Sequence, residues 1–236
     1  MSTIGDIIYV TPLAPDLGGS CNPRGQGRVI PSGRNSGLDY PHHPLVRKED
    51  LRSMVQVGKA APEFTLASTK GATSAKDLGK EISLNEYRGK WLVFFFYPLD
   101  FTFVCPTEIT ALSDRASEFQ ELDCEILGCS TDSVFSHWAW LNTPREKNGI
   151  AGTQFPLVSD FTKSVARAYG VLDEKSGVSQ RGLFIIDPEG VLKYAVVTDD
   201  NVGRSVEETL RVLQALQTGG LCPAEWKPGK ALLQKA

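Results

Sequence analysis

The seven-residue run "WLVFFFY" from Trp91 to Tyr97 constrains the fold of this 236-residue chain more than any other feature. A bilayer span needs roughly 20 apolar residues, so a run this short is a buried strand and not a membrane segment. No polar residue alternates within it, so neither of its faces meets water. Such a strand requires a sheet covered on both sides. The rest of the chain supplies the covering layers: a helical pattern after Pro106, a strand at Glu125 to Cys129, and a helix around Phe135 to Leu141. Strands at Gly182 to Ile186 and Leu192 to Val197 follow, joined by the turn "DPEG", and then a helix from about Arg204 to Gln217. This order predicts an α/β domain.

The first 50 residues have a different texture, with seven Gly and six Pro. The stretch "GGSCNPRGQGRVIPSGRNSG" from Gly18 to Gly37 has too few apolar residues to bury a core of its own. The predicted organisation is therefore a loop-rich extension over 1–56, a folded domain over 57–218, and a short arm over 219–236. Scattered apolar anchors in "IGDIIYVTPL" and "LDYPHHPLV" suit an extension laid along a preformed surface, where it would add assembly specificity and leave the chemistry alone. A net charge of -3 gives no basic surplus to grip a phosphate backbone, so nucleic acid is not an expected partner, nor is a membrane.

Five cysteines (Cys21, Cys105, Cys124, Cys129, Cys222) are too few for a secreted disulfide scaffold of this length, which points to a reducing, cytoplasmic compartment. There a cysteine is catalytic or inert. Cys105 directly precedes Pro106, and proline is favoured in the first turn of a helix, where its missing N–H costs nothing. Cys105 is then expected at a helix N-terminus, where unpaired N–H groups and the positive end of the helix dipole favour a thiolate over a thiol. A small buried hydrophobe is the alternative at this point.

Cys124 and Cys129 lie five apart on or beside one strand, an odd separation that sends them to opposite faces, so both are read as packing residues. Cys21 with "PHHP" at Pro41 to Pro44 lacks a second cysteine at metal-ligand spacing, so no metal site is expected. His137 in "SHWAW" is read as packing or a subunit contact. Cys222 in "GGLCPAEWKPG" follows the last helix, in a Gly/Pro-rich arm expected to be mobile, and suits a thiol that arrives after a fixed nucleophile has reacted. A CxxC pair is absent, which disfavours dithiol exchange between neighbouring cysteines.

Over roughly Val57 to Lys230 the strings "FYPLDFTFVCPTE", "HWAWLNTP", "FPLVSD", "YGVL", "RGLFIIDPEG", "VGRSVEETLRVLQALQ" and "CPAEWKPG" resemble, in order, the typical 2-Cys peroxiredoxins, the bacterial alkyl hydroperoxide reductase C-subunits among them. The resemblance implies a thioredoxin-like fold and a homodimer, often assembled as a decameric ring. It also implies site roles. The family's P-x-x-x-T-x-x-C pattern falls on Pro98, Thr102 and Cys105, with Pro98 shielding the thiolate and the Thr102 hydroxyl bonding sulfur and peroxide. Arg181 matches the active-site arginine, Glu108 the carboxylate that orients it, and Cys222 the resolving cysteine of the partner subunit.

The implied activity is thiol-dependent reduction of hydrogen peroxide and alkyl hydroperoxides, with thioredoxin or a dedicated flavoprotein as the reductant and no cofactor. Rings of this family can also act as holdases, and a disulfide oxidoreductase is the other competing class. Members sensitive to hyperoxidation carry Gly-Gly-Leu-Gly where this chain has "NGIAG" at Asn148 to Gly152, and a C-terminal helix with Tyr-Phe where only "KALLQKA" follows Gly229. By resemblance the chain is expected to be of the robust type.

Overall fold

A computed structural model describes residues 55–234; the calls made on the extension and on Cys21 lie outside the described residues. The buried run forms β3 (Trp91–Phe96) in a seven-stranded sheet with β1 (Thr65–Ser68), β2 (Lys80–Ser83), β4 (Cys124–Ser130), β5 (Leu157–Ser159), β8 (Arg181–Ile186) and β9 (Leu192–Thr198). Its order is β2-β1-β5-β4-β3-β8-β9, and β6 (Leu172–Asp173) pairs with β7 (Val178–Ser179) in a separate ribbon. β3 runs parallel to β4, and β4 to β5, while β8 is antiparallel to β3 and β9 to β8. The helices are α1 (Val104–Asp114), α2 (Ala116–Glu121), α3 (Val134–Leu141), α4 (Ser164–Ala168) and α5 (Val206–Gln217). The mixed sheet with helices bears out the expected α/β, thioredoxin-like class.

β3 explains why there are two cores. Its side chains alternate, so Val93, Phe95 and Tyr97 enter one cluster and Leu92, Phe94 and Phe96 the other, all fully buried. At about 1.5–3 kcal/mol for each fully buried large apolar side chain, this strand is the principal hydrophobic anchor of the domain. Cys124 and Cys129 follow the same alternation into opposite clusters, as their odd spacing predicts.

Two differences from the sequence expectations concern α1 and the arm. The helix begins at Val104, so Cys105 and Pro106 are its second and third residues rather than its boundary. Pro106 still lies in the turn whose N–H groups have no helical acceptor. The Gly/Pro-rich arm, expected to be mobile, is packed back on α5. Trp226 is buried, its carbonyl accepts from Arg211 Nη1 at 3.0 Å, and Leu221 bridges to Leu233. Among the described residues no helix is long and apolar enough to cross a membrane.

Candidate active site

Strand register brings four segments to one end of the sheet. β3 ends there and feeds the loop that enters α1, which carries Cys105 and Glu108. β8 is antiparallel, with Phe95 opposite Leu183, so continuing the register by two residues sets Arg181 level with Tyr97. β9 pairs Thr198 with Arg181, so it also ends here, and the short link into α5 delivers Arg204. Residues far apart in sequence thus share one site at the carboxyl ends of the parallel strands, where α/β sheets commonly place their chemistry.

The site is an ionic cluster built around one sulfur. Arg181 Nη1 donates to Cys105 Sγ at 3.3 Å and to Glu108 Oε2 at 2.7 Å, while Arg181 Nε donates to the Asp200 carbonyl at 2.8 Å. Arg204 donates from Nε to Glu108 Oε1 at 2.7 Å, from Nη2 to Oε2 at 3.0 Å, and from its backbone N–H to Oε1 at 2.8 Å. Its guanidinium carbon lies 5.5 Å over the Phe95 ring, a cation–π contact. Cys105 is 0% exposed, and Glu108 and Arg181 are nearly as buried.

Burial opposes the Glu108 charge, but the hydrogen bonds and charge of Arg204, with Arg181 behind it, outweigh it and hold the carboxyl below the usual carboxylate range. Burial likewise opposes the Arg181 charge, and the hydrogen bond and field of the Cys105 sulfur, with those of Glu108, hold its pKa above the ordinary value. Two cations and one fixed carboxylate leave a net positive site around the sulfur. Such a site can oppose negative charge developing on a bound oxygen.

The loop between β3 and α1 is braced separately. Tyr97 Oη donates to Asp100 Oδ1 at 2.9 Å, His137 Nδ1 pairs with Asp100 Oδ2 at 2.9 Å, and His137 Nε2 donates to the Val158 carbonyl at 3.2 Å. His137 is therefore a packed residue, as expected, but one that ties the loop between β3 and α1 to β5. Pro98 is buried in this loop. The half-buried Thr102 donates its hydroxyl to the Leu99 carbonyl at 2.9 Å rather than to sulfur, leaving its lone pairs to accept.

Cys222 stands apart. It is a half-buried free thiol, 3.5 Å from Thr218 Oγ1 and 3.7 Å from the Ala215 carbonyl. Arg204 and Ala215 are separated by about 16 Å along the helix axis at the usual rise per residue. Within one chain Cys222 is thus remote from the cluster that holds Cys105.

Two functional residues were not singled out from the sequence. Arg204 read as the start of a helix, although an arginine just before the N-cap Ser205, whose hydroxyl accepts from Glu208 N–H, projects backward from the helix. Asp100 gave no signal except that a carboxylate beside a buried strand needs a partner. Among the described residues no cluster of His, Cys, Asp and Glu could hold a metal ion.

Comparison with known proteins agrees with this geometry. The AhpC/TSA family model matches residues 57–195. The putative peroxiredoxin YkuU of Bacillus subtilis is 56% identical over 179 residues, covering 75% of this chain and 97% of that protein. Peroxiredoxin-2 of Mus musculus is 55% identical over 179 residues, covering 74% and 87%. Among solved structures, the reduced 2-Cys peroxiredoxin of Plasmodium vivax superposes with a TM-score of 0.71 at 42% identity, over 75% of this chain and 92% of its own. AhpC of Mycobacterium bovis gives 0.64 at 38% identity, over 74% and 99%. With a family model spanning more than half of its length and relatives this similar, the chain belongs to the AhpC/TSA family and is a peroxiredoxin, a thiol-dependent peroxidase.

Proposed function

We propose that the chain reduces hydrogen peroxide and alkyl hydroperoxides with Cys105 as nucleophile and Cys222 of a partner subunit as the resolving thiol. The observation that carries this reading is the buried contact of Arg181 with both Cys105 Sγ and Glu108. The Cys105 thiolate attacks one oxygen of the peroxide in line with the O–O bond. Sulfur gains that oxygen and is oxidised to sulfenic acid, and the other oxygen leaves as water or alcohol after taking up a proton. Arg181 donates to the oxygen on which charge builds, held in aim by Glu108 and Arg204, while Thr102 accepts from the peroxide O–H and Pro98 excludes water.

The sulfenic acid then condenses with the Cys222 thiol, forming a disulfide and releasing water, and an external dithiol protein, thioredoxin or a flavoprotein reductase, returns both thiols. The separation of Cys222 from Cys105 within one chain supports an inter-subunit bridge. Assembly is supported by exposed aromatic rings around the catalytic loop and α3, Phe103 at 87% and Phe135 at 66%, which a second copy would cover on the way from dimer to decamer. The setting that fits these free thiols is the cytoplasm.

The test compares wild type, Cys105→Ser and Cys222→Ser in peroxide consumption with a generic dithiol. Cys105→Ser should be inactive. Cys222→Ser should complete one rapid turnover and stall as a sulfenic acid that dimedone traps, while oxidised wild type should run as a disulfide-linked dimer on a non-reducing gel. Peroxide turnover by Cys105→Ser, or a monomeric disulfide, would overturn the assignment.

A further inference from the structure

His137 is wholly withdrawn from water, and both of its ring nitrogens face acceptors. Nε2 points at the Val158 carbonyl, 3.2 Å away, and a carbonyl oxygen can only accept. Nδ1 points at the carboxyl of Asp100, 2.9 Å from Oδ2, and that side chain is almost as buried. A neutral imidazole carries one N–H, so filling both sides takes two protons on the ring, or one on the ring and one on Asp100. A free imidazole holds its second proton to about pH 6.5 and a free aspartate carboxyl only to about pH 3.9, which gives the shared proton to the ring.

The surroundings favour the same placement. Burial and the Asp100 charge hold the Tyr97 phenol well above its ordinary pKa, so Oη keeps its proton and donates it to Asp100 Oδ1 at 2.9 Å, a bond that suits an ionised carboxylate. The same Oη lies 3.3 Å from Nδ1. Asp132, beyond the end of β4, accepts from the Asp100 backbone N–H at 2.9 Å and from Ser130 Oγ at 2.7 Å. Burial and the Asp100 charge push the Asp132 carboxyl up, while those bonds and the charge of His137 oppose the rise. The rest of α3, "VFSHWAWL", brings no other charged group. A cation at His137 is thus faced by two carboxyl groups, a phenol and a carbonyl, and by no second cation.

Asp100 stands in a turn that the chemistry depends on. Thr102 Oγ1 closes this turn on the Leu99 carbonyl at 2.9 Å, and between them Phe101 has φ of 55°, a left-handed conformation costly for a residue with a bulky side chain. Such a conformation persists only where its neighbours hold it, and Asp100 is held by its carboxyl and by its N–H.

We propose that His137 is a buried imidazolium whose charge fixes Asp100, and through Asp100 the turn that aims the Thr102 hydroxyl, making it a positioning residue for attack by Cys105. The proposal rests on the role given to Thr102 above. Loss of the Nδ1 proton sets a lone pair against the Asp100 carboxylate and lets the turn relax at Phe101. Rising pH only increases the thiolate fraction of a cysteine, and Arg181 stays charged, so a fall in rate on the alkaline side is the mark of His137.

Nitrogen-15 NMR of reduced wild type at pH 7 should show both ring nitrogens of His137 protonated, and Asp100→Asn should convert the ring to its neutral form. Single-turnover formation of sulfenic acid should track the imidazolium signal as pH rises, falling about 10- to 100-fold where that signal is lost, the usual cost of a misplaced group. His137→Gln and Asp100→Asn should show the same loss at pH 7. Iodoacetamide, which needs the thiolate but not Thr102, should alkylate Cys105 in both variants no more slowly than in wild type. Thr102→Val should cost less in the His137→Gln background than alone, because the hydroxyl is already misplaced there. A neutral His137 in the wild type, or a rate that holds after the imidazolium signal is gone, would overturn the proposal whether or not the variants fold. A rate unchanged by Thr102→Val alone would instead refute the part given above to that hydroxyl.

Discussion

Glu108→Gln tests whether the catalytic cluster is held together by one charge. The carboxylate accepts four hydrogen bonds, one from Arg181 and three from Arg204, with both guanidinium groups and the carboxylate itself almost wholly withdrawn from water. Glutamine is the same size but brings one oxygen and one NH2. Whichever way it turns, its nitrogen meets two of the four donors, and two buried arginines lose their counter-ion. Removing one partner of a buried ion pair costs about 3–5 kcal/mol; with two bonds retained, the lower end applies, about 3 kcal/mol. For a domain of this size that lowers the melting midpoint by about 6–12 °C.

The pH dependence has a defined sign. Glu108 is held below the usual carboxylate range in the folded chain, so its contribution is fully present above the unfolded carboxyl value, about 4.3, and is lost as pH falls through the folded value. Urea unfolding of reduced protein, followed by tryptophan fluorescence at fixed concentration so that association contributes equally, should show a constant gap between wild type and variant from pH 5 to 7. The gap should narrow below about pH 4. A variant as stable as wild type, or a gap that persists undiminished at pH 3, would refute Glu108 as the shared counter-ion.

Arg181→Ala should slow the single-turnover reaction with peroxide by about 10²–10³-fold, the usual effect of removing a donor to developing charge. Arg181→Lys should recover only part of this, because a lysine cannot bond Glu108, the sulfur and the Asp200 carbonyl together; equal rates for wild type and the lysine variant would show that charge alone suffices. Burial pushes the Cys124 and Cys129 thiols well above the ordinary range, so maleimide at pH 8 should modify Cys222 of reduced native protein and leave those two unlabelled until urea is added; labelling of either in the native state would place it outside the core. Gly128→Ala should cost about 1–3 kcal/mol of unfolding free energy, since the added methyl would lie 2.7 Å from Leu157 Cδ2 and 2.9 Å from Phe95 Cζ in the packed core, and an unchanged urea midpoint would show that β4 and β5 can part at no cost.

The parts of the fold legible in the sequence were those whose signal is local. The run at Trp91 to Tyr97 and the apolar strands at Gly128 and Phe184 declare themselves by burial alone. β1, β2 and β5 did not: "TLAS" and "KEIS" mix polar residues into short strands, β2 at the sheet edge and β1 next to it, and "LVS" is three residues whose strand character comes from pairing with its neighbours. α4, five residues long, is held by its surroundings and not by an amphipathic pattern, with Ala166 N–H bonded to Asp160. In the site, Cys105, Glu108 and Arg181 could be named because each stands in a recognisable string. Arg204 could not, because its meaning depends on a carboxylate ninety-six residues earlier.

Glu108 has one more consequence, which follows from its place on the same helix as the reacting sulfur. Fastened by Arg181 and Arg204, it acts as a stop beyond which α1 cannot unravel without breaking the ionic cluster. Only two residues of chain, Pro106 and Thr107, lie between it and Cys105, and the three residue steps pulled straight reach about 10 Å. On the proposed mechanism the oxidised sulfur is thus on a short leash. Wherever a second thiol waits, it must come within the arc that this leash sweeps, and lengthening the leash by a single inserted residue after Cys105 would change which thiols fall inside it.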